Sequence, residues 1–222
     1  MNSRVQIGDR TLVKVCGVTD PANARVAVEM GADFLGLNFY PRSPRYVDVD
    51  RAREIVSAAQ DANPWVMMVG VFVNRPADEV EEIDAQVGLD LLQFSGDETP
   101  EAVTRYAERA VKAFRTGGDP GAGELAAWSN VWAWLFDAPH GSLYGGTGAA
   151  WNFGAVSGRT GERRVFLAGG LGPDNVREAI AASRPFAVDV CSRVESAPGI
   201  KDPELLRRLF EEVRNAQISS PS

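Results

Sequence analysis

The sequence predicts an α/β protein built as an eight-stranded parallel β/α barrel, and three observations predict it. Eight apolar runs rich in β-branched and aromatic residues recur along the chain, mostly continuous and not alternating, as strands buried on both faces read. Helix-like stretches fall between them. The chain has 222 residues, which allows a compact version of a fold that usually takes about 250. Gly and Pro lie in short connections, with no long linker, so a single (β/α)8 TIM-barrel domain over 1–222 is expected. The alternative is an open doubly wound sheet. No GxGxxG opens a helix after the first run, so a dinucleotide-binding version gains no support.

The first strand is LVKVC (12–16). PANARVAVEM follows it and is entered through Asp20 and Pro21, a cap and first-turn pair. DFLGLNF (33–39) is the second strand and VDVDRAREIVSAAQ (47–60) its helix. WVMMVGVF (65–72) leads to PADEVEEIDAQ (76–86), and LDLLQF (89–94) to TPEAVTRYAERA (99–110). AVKAF (110–114) precedes a weaker helix, GAGELAAWS (121–129). VWAWLFDA (131–138) precedes another weak one near AAWNFGAVS (149–157). RVFLAG (164–169) and FAVDVC (186–191) complete the strands. GPDNVREAIAAS (172–183) and DPELLRRLFEEVRNA (202–216) are amphipathic helices.

A formal charge of -7 argues against non-specific binding to nucleic acid, a polyanion. The single histidine, His140, rules out a His-rich metal site. The polar start, MNSRVQIGDR, lacks the apolar core of a signal peptide, and no apolar run is long enough to span a membrane, so a cytoplasmic protein is expected. The two cysteines, Cys16 and Cys191, are no disulfide framework. One bridge between them is possible, but the sequence does not indicate it.

In such a barrel the chemistry sits at the C-terminal ends of the strands. Here those ends carry Cys16-Gly17, Asn38 with the YPRSPRY loop (40–46), Asn74, Gln93 to Asp97, Arg115, Asp137, AGGLGPDN (168–175) and DVCSRVE (189–195). Cys16 reads equally as a small core hydrophobe and as a reactive thiol. The second reading needs a nearby cation, and Lys14 stands two residues away on the same strand face. Asp137 reads as a turn residue, or as a half-buried carboxyl whose raised pKa makes it a general acid. A thiolate and an acid on opposite sides of a barrel mouth can move protons on a bound sugar. The glycine loops YGGTGAAW (144–151) and AGGLGPDN, together with Cys191, Ser192 and Arg193, suit a phosphate, although turn chemistry explains either loop alone. Arg45, between Pro44 and Tyr46, is placed to clamp a carboxylate. Arg42 reads as surface charge.

KVCG (14–17), GADFLG (31–36), YPRSPRYV (40–47), VGVFVN (69–74), GGTG (145–148), AGGLGPDNV (168–176) and FAVDV…VESAPGIKD (186–202) follow one another in this order. Through them the chain, from about Leu12 to Val213, resembles the phosphoribosylanthranilate isomerases of tryptophan biosynthesis. The resemblance implies a barrel without cofactor or metal that performs an Amadori rearrangement. Its substrate would be N-(5-phosphoribosyl)anthranilate, a small phosphorylated aminosugar, and its product 1-(2-carboxyphenylamino)-1-deoxyribulose 5-phosphate.

The same resemblance makes Asp137 the acid that protonates the ribose ring oxygen and Cys16 the base that takes the C2 proton. Arg45 would bind the anthranilate carboxylate. Gly146, Gly169, Gly170 and Ser192, with Cys191 beside them, would cradle the phosphate. Asp189 would lie beneath the substrate, with Lys14 and Gln93 near it. The chain departs from the family pattern at Ser95 (usually histidine), Ala149 (lysine), Asn152 (aspartate), Cys191 (serine) and Arg193 (glycine). Those changes keep two alternatives open: a related barrel isomerase acting on another aminosugar phosphate, and a non-catalytic sugar-phosphate-binding homologue. The assembly is expected to be a monomer or a homodimer.

Overall fold

The eight apolar runs form eight parallel strands that close on themselves in chain order. They are β1 (Leu12–Cys16), β2 (Phe34–Asn38), β3 (Met67–Phe72), β4 (Leu91–Phe94), β5 (Ala110–Arg115), β6 (Ala133–Asp137), β7 (Val165–Ala168) and β8 (Ala187–Val190). This computed structural model describes residues 10–115, 120–137 and 163–218. The barrel closes where β1 meets β8, with Lys14 in register with Asp189 and Val15 with Val190.

Alternation along each strand sorts the side chains into two layers. Val13, Val15, Leu35, Leu37 and Met68 point outward and pack under the helices. Leu12, Phe34, Met67, Leu91, Val111 and Phe166 point inward. At the base of the interior Phe34 meets Phe166 edge-on at 5.3 Å, and Trp132 meets Phe186 at 5.7 Å. This aromatic plug closes the N-terminal end of the barrel, so the free space lies at the opposite mouth.

Among the described residues the helices are α1 (Pro21–Met30), α2 (Val49–Ala62), α3 (Ala77–Val87), α4 (Pro100–Val103), α5 (Ala122–Ala127), α6 (Val176–Ser183) and α7 (Pro203–Ile218). Asp20 caps α1 by accepting from Ala22 N and Asn23 N, and Gly31 ends it in the left-handed region at φ 115°. Asp48 caps α2 by accepting from Arg51 N.

The sequence reads 99–110 as one helix, but only Pro100–Val103 is α-helical and Thr104–Arg109 tightens into a 3-10 helix. Thr104 donates its hydroxyl to Pro100 O at 2.8 Å, a bond that competes with regular helix geometry. Tyr106, stacked on Phe94 at 5.5 Å, anchors the tightened turn. The helix expected from 172 begins at Val176, because Asn175 spends its side chain on the preceding loop. A two-stranded antiparallel ribbon, β9 (Glu195–Ala197) with β10 (Ile200–Lys201), follows β8 and had no counterpart among the expected strands. The expected helix at 149–157 lies outside the described residues.

Candidate active site

The site rises from a buried polar layer directly above the apolar interior. Lys14, on β1 and 1% exposed, donates to Asp189 Oδ2 on β8 and to Gln93 Oε1 on β4, both at 2.8 Å. Gln93 in turn donates through Nε2 to Ser95 Oγ at 3.0 Å, which fixes the amide with its oxygen toward the ammonium. Burial opposes the Lys14 charge, but Asp189 and Cys16 outweigh it and hold the group protonated. Burial pushes the Asp189 carboxyl up to about 7, against the pull of Lys14. Asp189 Oδ1 is buried without a hydrogen-bond partner, at the edge of the cavity that opens above. A buried carboxylate oxygen of this kind is costly unless a ligand hydroxyl meets it.

Cys16 ends β1 just above Lys14 and lies beside Cys191, the next position along β8. The Cys16 thiol is held well below its ordinary pKa, first by the hydrogen bond from Cys191, then by the Lys14 and Lys201 ammoniums, against the opposing effect of burial. Cys191 shifts the other way, because it is the donor in that bond and because it is buried. The two shifts run in opposite directions, so Cys16 is the member of the pair that gives up its proton first. Gly36, the register partner of Cys16 on β2, makes room for the sulfur: a Cβ there would stand 2.6 Å from Sγ.

A second charged group braces this corner from outside. Lys201, on β10 and 1% exposed, donates to Cys16 O at 2.6 Å and to Glu195 Oε1 at 2.7 Å. Glu195 also receives Arg45, through Nε at 2.9 Å and Nη2 at 2.6 Å. Burial raises the Glu195 pKa, but the bonds from Arg45 and Lys201 overcome it and hold the group below the ordinary carboxylate range. The fork of Arg45, predicted to clamp a ligand carboxylate, is thus engaged by a carboxylate of the chain, and Nη1 is the remaining arm. The loop carrying Arg45 is ordered by Ser43, whose Oγ accepts from Asn38 Nδ2 at 3.2 Å and from Arg45 N at 3.1 Å. Gly17, at φ 69°, passes under the arginine, where a Cβ would stand 2.5 Å from Arg45 Cδ.

These groups open on one cavity of about 380 Å³ at the C-terminal mouth. Cys16, Arg45 and Asp189 line one side and half-buried Asp137, at the end of β6, another; Gln93 and Ser95 contribute from β4. Gly169 and Gly170, at φ 93° and 62°, border it together with Cys191 and Ser192. Asn175 holds that glycine turn, accepting from Gly172 N at 2.9 Å and donating to Gly170 O at 3.1 Å. The backbone is thus presented to the cavity with its shape fixed, as an anion cradle requires.

Arg193 is absent from the cavity lining. It pairs with Asp174 at 3.1 Å and lies against Gly172, where a Cβ would meet Arg193 Cβ at 2.8 Å. Gly146, Ala149 and Asn152 lie outside the described residues. Among the described residues, no group of three or more His, Cys, Asp or Glu is arranged to hold a metal ion, and no helix is long and apolar enough to cross a membrane.

Glu195, Lys201 and Asn175 were not singled out in the sequence. Glu195 and Lys201 lie in VESAPGIKD, a stretch that enters the sequence analysis only as part of the family resemblance. The available signal was their place directly after the last strand, on the face that carries the site.

Comparison with known proteins identifies the family and matches the fold. The family model described as N-(5'phosphoribosyl)anthranilate (PRA) isomerase matches residues 13–212. The N-(5'-phosphoribosyl)anthranilate isomerase of Citrifermentans bemidjiense is 43% identical over 208 residues, covering 94% of this chain and 99% of the relative. The crystal structure of phosphoribosyl anthranilate isomerase from Thermotoga maritima superposes with a TM-score of 0.82 at 34% identity, covering 92% of this chain and 99% of that one. A phosphoribosyl anthranilate isomerase solved in complex with reduced 1-(O-carboxyphenylamino)-1-deoxyribulose 5-phosphate superposes with a TM-score of 0.80 at 32% identity, with the same coverage.

Proposed function

Because the chain belongs to the N-(5'-phosphoribosyl)anthranilate isomerase family of tryptophan biosynthesis, we propose that it is a single-domain barrel enzyme that converts N-(5-phosphoribosyl)anthranilate into 1-(2-carboxyphenylamino)-1-deoxyribulose 5-phosphate, with Asp137 as general acid and Cys16 as general base. The observation that carries the assignment is that Cys16 on β1 and Asp137 on β6 line one cavity from well-separated strands of a closed barrel. A relative solved with the reduced product supports the choice of ligand.

The reaction follows from the groups present. Asp137 gives its proton to the ribose ring oxygen as the bond from that oxygen to C1 breaks. The anthranilate nitrogen supplies its electron pair, leaving an open chain with an iminium at C1. The iminium makes the C2 hydrogen acidic enough for a modest base. Cys16, whose thiol Cys191, Lys14 and Lys201 hold below its ordinary pKa, removes that proton as the thiolate. The resulting enolamine then becomes the ketone, so the change is an isomerisation with no net redox partner.

Positioning falls to the rest of the cavity. Gly169, Gly170, Cys191 and Ser192 receive the phosphate, which spends its binding energy on orientation. Gly146 completes that set in the proposal. Asp189 Oδ1, lacking a partner in the chain, accepts from a sugar hydroxyl. Lys14 and Gln93 hold Asp189 and the thiolate in place. Arg45 reaches the anthranilate carboxylate with Nη1 while Glu195 fixes its other arm. Arg193, paired with Asp174, is not among the described residues that line the cavity.

The test is the loss of anthranilate-derivative fluorescence on adding protein to the named substrate. General acid–base groups typically contribute roughly 10²–10⁴-fold, so Cys16→Ala and Asp137→Ala should each slow turnover by that order while both variants stay folded. Unchanged turnover in either variant, or none in the folded wild type, would remove the assignment.

A further inference from the structure

We propose that Cys16 and Cys191 form a reversible intramolecular disulfide when the protein meets a hydroperoxide, and that this bond turns the site off. Both thiols are free, partly exposed and border the same cavity, so a small oxidant reaches them. They occupy the position directly after the Val15–Val190 register pair of two neighbouring strands. Paired positions on adjacent strands lie about 4.8 Å apart, within the roughly 4.4–6.8 Å between Cα atoms that a disulfide spans. Both sulfurs lie at the end of β1: a Cβ at Gly36 would stand 2.6 Å from Cys16 Sγ, and one at Gly17 3.1 Å from Cys191 Sγ.

The surroundings favour the chemistry at Cys16. Lys14 and Lys201 flank it from below and from β10, and Arg45 lies across the adjoining Gly17. A low-pKa, accessible thiolate beside a second thiol is the arrangement in which a sulfenic acid forms and is then resolved. The Cys16 thiolate attacks the peroxide O–O bond, becomes the sulfenic acid and releases hydroxide. Cys191 then attacks that sulfur, the S–S bond forms, and the hydroxyl leaves as water with the Cys191 proton. Two thiols are oxidised and one hydroperoxide is reduced to water, or to water and an alcohol.

Cys191 faces one further acceptor, Glu195 Oε1 at 3.9 Å, on the ribbon behind it. The disulfide removes the thiolate that serves as base and ties the β1 end to the β8 end beneath the substrate. The loss of turnover rests on the functional reading above, while the bond itself does not.

The test treats the full chain with hydrogen peroxide and follows two readouts, turnover and intact mass. The expected wild-type result is lost turnover, a mass lower by two hydrogens, a linked peptide pair containing residues 16 and 191, and recovery with dithiothreitol. In Cys191→Ser, with turnover expressed relative to its own untreated sample, the loss should persist after dithiothreitol and Cys16 should gain oxygen atoms. Wild type that gains oxygen at Cys16 without losing two hydrogens overturns the proposal, as does a disulfide joining two chains. That mass reading decides the matter even if Cys191→Ser does not fold. A linked protein with full turnover would uphold the bond, overturn its effect on the site and count against Cys16 as the base.

Discussion

Lys14 Nζ lies 2.8 Å from Asp189 Oδ2, and the two residues are register partners across the β1–β8 seam that closes the barrel. One buried ammonium thus ties the ends of the sheet together, fixes the floor of the cavity and faces the candidate base from below. Removing one partner of a buried pair strands the other charge, which costs about 3–5 kcal/mol. Lys14→Met should lower stability by that order at pH 8, read as the urea midpoint. Adding Asp189→Asn to it should return part of the loss, because the stranded carboxylate is gone. Equal stability of the single and double variants would contradict the pairing.

The pH profile should follow the thiol. Cys16 titrates well below its ordinary value, partly because Lys201 stands behind it. With the thiolate as the proposed base, kcat/KM should fall on the acid side only once the pH drops to that lowered value. Lys201→Met removes one positive neighbour and should move the acid limb to higher pH. Rates well above the ordinary thiol pKa should change less. An acid limb that stays in place would mean that the Lys201 charge does not reach the sulfur.

Asp189 predicts a pH dependence of stability with the opposite sign. Its folded pKa, pushed up to about 7, exceeds the ordinary carboxylate value, so between those values the folded chain binds the extra proton. The contribution of this group is fully present below the unfolded pKa and is lost as pH rises through the folded one. Asp189→Asn lacks it. Wild type should therefore lose stability relative to the variant between pH 5 and pH 8 in matched urea titrations. A constant difference would place the Asp189 pKa outside that window.

Strand β1 begins and ends where its apolar run does, and α1 where Asp20, Pro21 and Gly31 punctuate it. Those elements are legible because local chemistry and tertiary burial agree. The tightened turn at Thr104 is not legible, because it depends on a side-chain bond and on Tyr106 packing against Phe94. Cys16, Lys14, Gln93, Asp137 and Asp189 are legible as polar residues at or near strand ends, and the closed topology brings them to one mouth. Glu195 and Lys201 are not. Charged residues in a connection ordinarily read as solvated, and only the ribbon of β9 and β10 folding back over Cys16 buries them. The direction of Arg193 likewise depends on Asp174, nineteen residues away along the chain.

Glu195 should act through Arg45. Its carboxylate holds Arg45 Nε and Nη2 while taking Lys201 Nζ, and its side chain is 4% exposed. Glu195→Gln keeps the shape and one acceptor oxygen but removes the charge between two cations. The guanidinium should then lose its fixed aim. KM for the substrate should rise several-fold, with a smaller change in kcat if Cys16 keeps its place. Removing Nη1 reach through Arg45→Lys should raise KM in the same direction. A KM unaffected by both changes would remove Arg45 from the binding role.

Gly36 offers the sharpest test of where the Cys16 sulfur sits. It is the register partner of Cys16, and a Cβ at this position would stand 2.6 Å from Sγ and 3.0 Å from the Cys16 Cα. The nearer atom belongs to a one-bond side chain with few places to go, and the farther one to backbone within the barrel. Gly36→Ala must rotate the thiol or part the two strands. Overpacking of this kind costs typically 1–3 kcal/mol, about what a barrel with ordinary stability tolerates. The variant should fold with a lowered Tm. Its kcat should drop far more than its phosphate affinity, because Gly169, Gly170 and Ser192 lie on other strand ends. Its thiol should also react differently with a small alkylating agent, since the sulfur no longer rests between Cys191 and the two lysines. If Gly36→Ala kept wild-type kcat and thiol reactivity, the sulfur would have to lie elsewhere, and the base assignment would fall with it.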